Sequence, residues 1–326
     1  MLKDIQVQGQ KDTRSGFGDG IYEVAKENPN VVALTADLAG SLKLNAFIKA
    51  FPERFFQVGI AEANMMGVAA GLAASGLVPF ASTFCVFASM RAVEQFRNSI
   101  AYPKLNVKVV ATNAGIEIGA DGATHQAIED IAIMRAIPNV SVFVPSDPVM
   151  TVKLIHLVAE SVGPTYVRIG RQDTPTLYDD ATLHLEPGRA VVARPGSDVT
   201  LMAVGNMVCR SLDAAQILAR EGISARVLDM FSVKPIDTAA IIAAAEETGC
   251  IVTAEDHNIM GGLGGAVAEV LAETKPVPLV RVGVRDTFAE SGDAEGLLRA
   301  YGLSAEHIAA AARQAIARRD GTGKSD

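Results

Sequence analysis

Residues 55–82 read FFQVGIAEANMMGVAAGLAASGLVPFAS, and this stretch decides the fold. Phe55, Phe56 and Val58 form a short strand-like run. Residues 61–74 carry helical spacing, Ser75 and Gly76 break it, and a second apolar run follows at 78–82. Strand, helix and strand in such close succession make a βαβ unit with parallel strands. The long apolar stretch 65–81 is broken by Gly71, Ser75, Gly76 and Pro79. It therefore reads as a buried helix leading into a strand, not as a membrane span.

The same alternation extends in both directions. Strands are expected at 31–36, 55–58, 78–82, 107–112, 140–144 and 165–169. Helices are expected at 16–27, 61–74, 87–100, 128–136 and 147–160, the last opening on Asp147 and Pro148. Residues 171–197 are rich in Pro, Asp and Gly without helical period, and read as a linker with a short hairpin. The rhythm then restarts, with strands at 199–204, 225–228, 250–254 and 279–282 and helices at 207–221, 238–247, 265–272 and 305–318. The expectation is an α/β chain of two consecutive domains, 1–178 and 190–326, joined by a linker at 179–189. Each domain should be a mostly parallel sheet covered by helices.

The 326 residues are 49% hydrophobic and 20% charged, which suits a packed α/β protein and excludes a disordered one. A net charge of -8 leaves no basic face for nucleic acid. Small anions stay open as ligands, since a few placed arginines suffice for them. Cys85, Cys209 and Cys250 lie apart in apolar stretches without metal-ligand spacing, so they read as buried, reduced thiols. Such thiols make a cytoplasmic location the expectation, and the first ten residues carry no apolar signal core.

Four clusters could carry chemistry. Glu62 stands in the first turn of its helix, where the macrodipole favours a carboxylate. On spacing alone an ordinary helix-start acid is the plainer reading. Phe84 and Phe87 could present one apolar surface to a planar ring, or simply pack in the core. In TNAGIEIGADGATHQAIED (112–130), Asp121 and His125 lie in a glycine-rich loop after a strand. That is a place for acid–base chemistry, because parallel sheets bind ligands at strand C-terminal ends. A histidine held by nearby backbone is the alternative. Arg14, Ser41, Arg168 and Arg171 are surface groups singly, and a phosphate grip together. EDHNIMGGLGG (255–265) lacks the G-x-G-x-x-G spacing of a dinucleotide site and reads as tight strand–helix packing.

Taken in this order, the motifs resemble the C-terminal half of transketolase. The resemblance runs from DTRSGFGD (12–19) through VGIAEANMMGVAAGLA (58–73), PFASTFCVF (79–87), GADGATHQAIED (119–130) and RIGRQ (168–172) to VLDMFSVKPID (227–237) and EDHNIMGGLGG. It implies a thiamine diphosphate enzyme whose sites lie between the pyrimidine-binding domain of one protomer and the diphosphate-binding domain of another. On this resemblance Glu62 hydrogen-bonds the aminopyrimidine and favours its imino tautomer. Phe84 and Phe87 pack on that ring, with Met90 at the position of a third aromatic, and Asp37 lies near cofactor and substrate. Arg14, Ser41 and Arg171 hold the sugar phosphate. Asp121 and His125 contact sugar hydroxyls, with His125 suited to proton transfer.

Asn113 stands where many transketolases have a phosphate-side histidine. The departure implies a shorter or branched sugar phosphate, or a sulfonate. No Gly-Asp-Gly motif with a following Asn precedes Arg14, so the resemblance assigns the diphosphate and its Mg2+ or Ca2+ to a partner subunit. The expected assembly is α2β2 with an N-terminal-half chain from a second gene, and the second domain is assigned to assembly. Rival readings are a 1-deoxyxylulose-5-phosphate synthase-like protein, a 2-oxoacid dehydrogenase beta-type subunit and a noncatalytic scaffold paralogue.

Overall fold

The computed structural model describes residues 9–322 of the chain. Its first half contains strands β1 Gln10–Asp12, β2 Val31–Thr35, β3 Phe55–Gln57, β4 Val78–Phe84, β5 Lys108–Thr112, β6 Ser141–Phe143, β7 Thr165–Arg168 and β8 Asp173–Pro175. The second half adds β9 Val191–Arg194, β10 Val199–Ala203, β11 Ala225–Asp229, β12 Ser232–Lys234, β13 Ile251–Asn258 and β14 Leu279–Val284.

The larger sheet has seven strands in the order β12-β6-β7-β5-β4-β2-β3. All of its pairings are parallel except that of β12 with β6. Every residue of β4 is buried, as a strand covered on both faces requires. From β2 the chain first goes outward to β3, then crosses back to β4 on β2's other side. The direction of winding reverses there, so a crevice opens between the carboxyl ends of β2 and β4.

Two helix layers cover this sheet. Helices Thr13–Glu27 and Pro148–Glu160 share one face, with Phe17, Ile21, Leu154 and Ile155 in a common core with Val31 and Phe80. They touch at Gly16, where a Cβ would strike the Pro148 carbonyl. Asp147 caps the second of them through the Met150 amide, with Pro148 in its first turn, as the sequence indicates. On the other face Met65, Met66 and Ala69 of helix Glu62–Ala74 pack with Phe96, Ile100 and Val109. That core continues without a break into Met202, Val204, Leu263 and Val267 of the second half.

The second sheet has five strands in the order β14-β13-β10-β11-β9, with only β9 antiparallel. Among the described residues no helix is long and apolar enough to cross a membrane.

Three local readings change. The helix expected over 87–100 is two π-helical turns, Phe87–Arg91 and Phe96–Ala101, around a short α turn at Val93–Gln95. There the Ser89 hydroxyl donates to the Cys85 carbonyl at 2.7 Å, and the Ala92 amide donates to the Phe87 carbonyl at 3.3 Å. No hairpin forms within 171–197: β8 pairs with β1 in a separate two-stranded ribbon, and β9 lies at the edge of the second sheet beside β11. Two short helices, Asn45–Ala50 and Ala294–Ala300, lie in segments that show no helical pattern of adequate length.

Candidate active site

The candidate residues gather at the carboxyl ends of the parallel strands. Asp37 follows β2, Glu62 follows β3, Phe84 ends β4, Asn113 follows β5 and Arg171 follows β7. Asp37 and Asn113 turn the chain sharply at these ends with φ of 62° and 61°. That left-handed geometry is tolerated by Asn and Asp, whose short polar side chains bond locally. The Asp37 amide donates to Gln57 Oε1 at 2.7 Å, and Asn113 Oδ1 accepts from the Thr112 hydroxyl at 3.1 Å. These two residues are placed by their backbones rather than by contacts with the other candidates.

Glu62 opens its helix with only 4% of its surface exposed. A carboxylate there faces the positive end of the helix dipole. Its partner is Arg91, with Nη1 3.3 Å from Glu62 Oε1. The Arg91 guanidinium also lies over the Phe87 ring, 4.1 Å from its centroid. Phe84 and Phe87 stand 5.7 Å apart with only 22° between their planes. His125 meets Phe87 edge-on at 5.4 Å and Phe84 at 6.4 Å. Its Nδ1 is 2.9 Å from the Thr124 hydroxyl. Glu62, Phe84, Phe87 and His125, drawn from three strand ends, thus form one connected group.

A second group is charged. Arg14 Nε bonds Asp12 Oδ1 at 3.1 Å, and its Nη1 is 3.4 Å from the Ser41 carbonyl. Beside it the Thr13 hydroxyl donates to the Gly170 carbonyl at 3.4 Å, which brings the neighbours of Arg14 and Arg171 into contact. The Arg171 guanidinium pairs with Asp121 at 2.8 Å and bonds the Ile118 carbonyl at 3.1 Å. Both members of that ion pair are about one-third exposed, so the pair is open to a ligand.

Arg168 does not join them. It is 4% exposed, paired with Asp130 at 2.8 Å and bonded to the Ala127 and Asp256 carbonyls, so it holds structure and is not available to an anion. Tyr166 completes that buried set through its hydroxyl on Asp130.

Sequence reasoning missed Glu117. Its carboxylate is 2% exposed and accepts the Arg171 amide at 2.8 Å and the Asn206 side-chain amide at 2.5 Å. Burial, and after it the adjacent Asp256 carboxylate, pushes the Glu117 carboxyl up to about 7. Asp256 in turn accepts the Ile116 and Glu117 amides at 2.9 and 3.1 Å. The available signal was a lone acid flanked by Ile116 and Ile118 in an otherwise apolar, glycine-rich segment. The GGLGG segment is packing, as expected: Glu255 accepts the Leu263 and Gly264 amides at 2.7 and 2.8 Å, and a Cβ on Gly262 would collide with it.

Comparison with known proteins agrees with this architecture. The transketolase pyrimidine-binding domain matches residues 9–176, and the transketolase C-terminal domain matches 188–308. A protein of Methanocaldococcus jannaschii described as a transketolase C-terminal section is 50% identical over 92% of this chain and 94% of its own. The 6-deoxy-6-sulfo-D-fructose transketolase subunit SqwH of Clostridium sp. (strain MSTE9) is 42% identical over 94% of this chain and 95% of its own. A solved split-gene transketolase, an inactive β4 tetramer, superposes with a TM-score of 0.89 at 51% identity, covering 94% of this chain and 99% of that one. The chain belongs to the transketolase family, which depends on thiamine diphosphate, and carries that family's pyrimidine-binding and C-terminal domains in that order.

Proposed function

We propose that this chain is the C-terminal subunit of a two-chain transketolase, which moves a two-carbon ketol unit from an anionic ketose to an aldose. The observation that carries the reading is the near-parallel Phe84 and Phe87 pair, flanked by His125 and by the buried Glu62 carboxylate. A flat aromatic ring with a hydrogen-bond donor at its edge suits that set, and the aminopyrimidine of thiamine diphosphate is such a ring. Glu62 would accept the hydrogen bond, and Phe84 and Phe87 would pack against the ring. The carbon nucleophile that breaks and remakes the carbon–carbon bond is the cofactor's own chemistry.

The chain's residues then bind, orient and move protons. With Nδ1 on the Thr124 hydroxyl, His125 exchanges a proton through Nε2, next to the substrate's reacting oxygen. Asp121 orients a sugar hydroxyl, and Asp37, at the end of β2, lies near the cofactor and the substrate. Arg14, Arg171 and Ser41 receive the terminal anion, with Asn113 beside them in place of a cationic side chain. That anion is a phosphate or a sulfonate, and the relative named for a sulfonated fructose supports including the second.

The diphosphate and its Mg2+ or Ca2+ fall to a partner subunit with the family's N-terminal half. Support comes from relatives of matching length that are themselves described as a section, a subunit and a split gene product. These also favour the two-chain reading over a synthase-like or 2-oxoacid dehydrogenase-type one. The test is to copurify the chain with its N-terminal-half partner and assay ketol transfer from xylulose 5-phosphate with thiamine diphosphate and magnesium. Turnover by the pair and by neither chain alone is expected. A stable, cofactor-loaded complex without turnover on phosphorylated or sulfonated ketoses would overturn the reading in favour of a noncatalytic paralogue.

A further inference from the structure

The contacts that fix Arg171 lead into the second domain. Arg171 itself leans on a single segment: its amide bonds the Glu117 carboxylate, and its guanidinium bonds the Ile118 carbonyl and Asp121. Gln172 adds a bond of 2.9 Å to the Glu117 carbonyl. That segment, Ile116–Asp121, is a short 3-10 helical stretch broken by a kink at Gly119.

The second domain holds it at separate points. Asp256, on β13, takes the Ile116 and Glu117 amides, and Asn206, just before helix Met207–Ala219, donates to Glu117 Oε2. Further along, the Gln126 side chain donates to the Glu290 carbonyl at 3.1 Å. Two glycines make room for the carboxylates. A Cβ on Gly115, which sits at φ 67°, would overlap Asp256, and one on Gly170 would overlap Glu117.

A buried carboxylate costs several kcal/mol in lost hydration unless hydrogen bonds offset it, and an apolar residue would fill the space more cheaply. Here two carboxylates are buried side by side, and the bonds that offset their cost all fasten the Arg171 support. We propose that the second domain positions the substrate's anion-binding arginine: Asn206 and Asp256 hold Glu117, and Glu117 sets the place of Arg171. The proposal rests on Arg171 receiving the substrate anion. Glu117, Asn206 and Asp256 are positioning residues, since none of them is placed against substrate.

The experiment compares the assembled two-chain enzyme carrying Asn206→Ala, Glu117→Gln, Arg171→Ala or the Asn206→Ala/Arg171→Ala pair. Each is assayed with xylulose 5-phosphate and with xylulose, which lacks the phosphate. Asn206→Ala and Glu117→Gln are expected to raise KM for the phosphorylated donor roughly tenfold, with kcat and the xylulose reaction changed by less than about twofold. The double variant should be no worse than Arg171→Ala alone, because both changes remove one interaction. Asn206→Ser, which keeps a donor, should recover part of the loss. Additive losses, or equal losses on both donors, would overturn the proposal and leave Asn206 and Glu117 as general stabilisers. If Arg171→Ala raises KM while the other two do not, the brace fails and the anion role of Arg171 stands. If Arg171→Ala itself leaves KM unchanged, the anion role fails and the proposal with it.

Discussion

Arg91 lies across both Glu62 and Phe87, 3.3 Å from the carboxylate of one and 4.1 Å from the ring centre of the other. A single guanidinium thus covers the acid and the aromatic face that we assign to the aminopyrimidine. The Arg91 side chain is 54% exposed, so the pair contributes at most about 1 kcal/mol and is easily displaced. Arg91→Ala should therefore tighten thiamine diphosphate binding to the assembled enzyme by roughly threefold, read by calorimetric titration. A tenfold loss instead would make Arg91 a direct contributor to binding.

Glu62→Ala removes the only acid at the head of its helix. Turnover at saturating cofactor is expected to fall by about a hundredfold or more, on the scale of a lost proton-handling group. Steady-state kinetics on a complex with an unaltered melting profile would check it. Activity within about threefold of the parent would take Glu62 out of catalysis.

Asn113 adopts φ 61°, and a Cβ without local polar bonding is disfavoured there. Asn113→Ala should cost about 1 kcal/mol of stability and Asn113→Gly distinctly less, measured by urea denaturation. Equal costs would mean that the Thr112 hydrogen bond, not the backbone, sets the preference for Asn.

Burial pushes the Asp229 carboxyl up to about 7, with Ser146 and Tyr178 bonding it at 2.5 and 2.9 Å. The folded protein therefore keeps a proton that the unfolded chain releases near pH 4. The resulting stabilisation is complete below about pH 4 and is lost as pH rises through 7. Between pH 5 and pH 8 the stability of the parent should fall relative to Asp229→Asn by on the order of 2 kcal/mol. Urea midpoints at the two pH values decide it, and a gap that does not change with pH would place the proton elsewhere.

Much of this was legible in the sequence, for definite reasons. The parallel sheet is written in runs such as 78–84, buried at every residue, and in the Ala/Gly helices between them. Glu62, Phe84, Phe87 and His125 stand at or after strand ends, where such sheets bind ligands, but their local patterns also fit ordinary packing, and it is the resemblance to transketolase that singles them out. Other features depend on contacts that spacing does not encode. Arg168 and Arg171 flank one glycine and look equivalent, yet one faces Asp130 in the interior and the other Asp121 near the surface. Glu117 and Asn206 are 89 positions apart, and nothing in either local pattern announces the other. The π-helical turns after Phe87 were hidden for a related reason: their apolar spacing is helical, and the wider winding shows only in backbone bonds that span five residues, from the Ala92 amide to Phe87 and from the Tyr102 amide to Arg97.

Strand β12 belongs by sequence to the second half but pairs with β6 of the first sheet, where it is the outermost strand. A cut within the linker would therefore do more than separate two lobes. It would strip the last strand from a sheet, leave the β6 edge open to pairing with other chains, and expose the core shared by Met66 and Leu263. The smallest piece that can be inherited, swapped or transplanted intact is thus the pair of domains together, and a gene boundary falls naturally on either side of it but not through its middle.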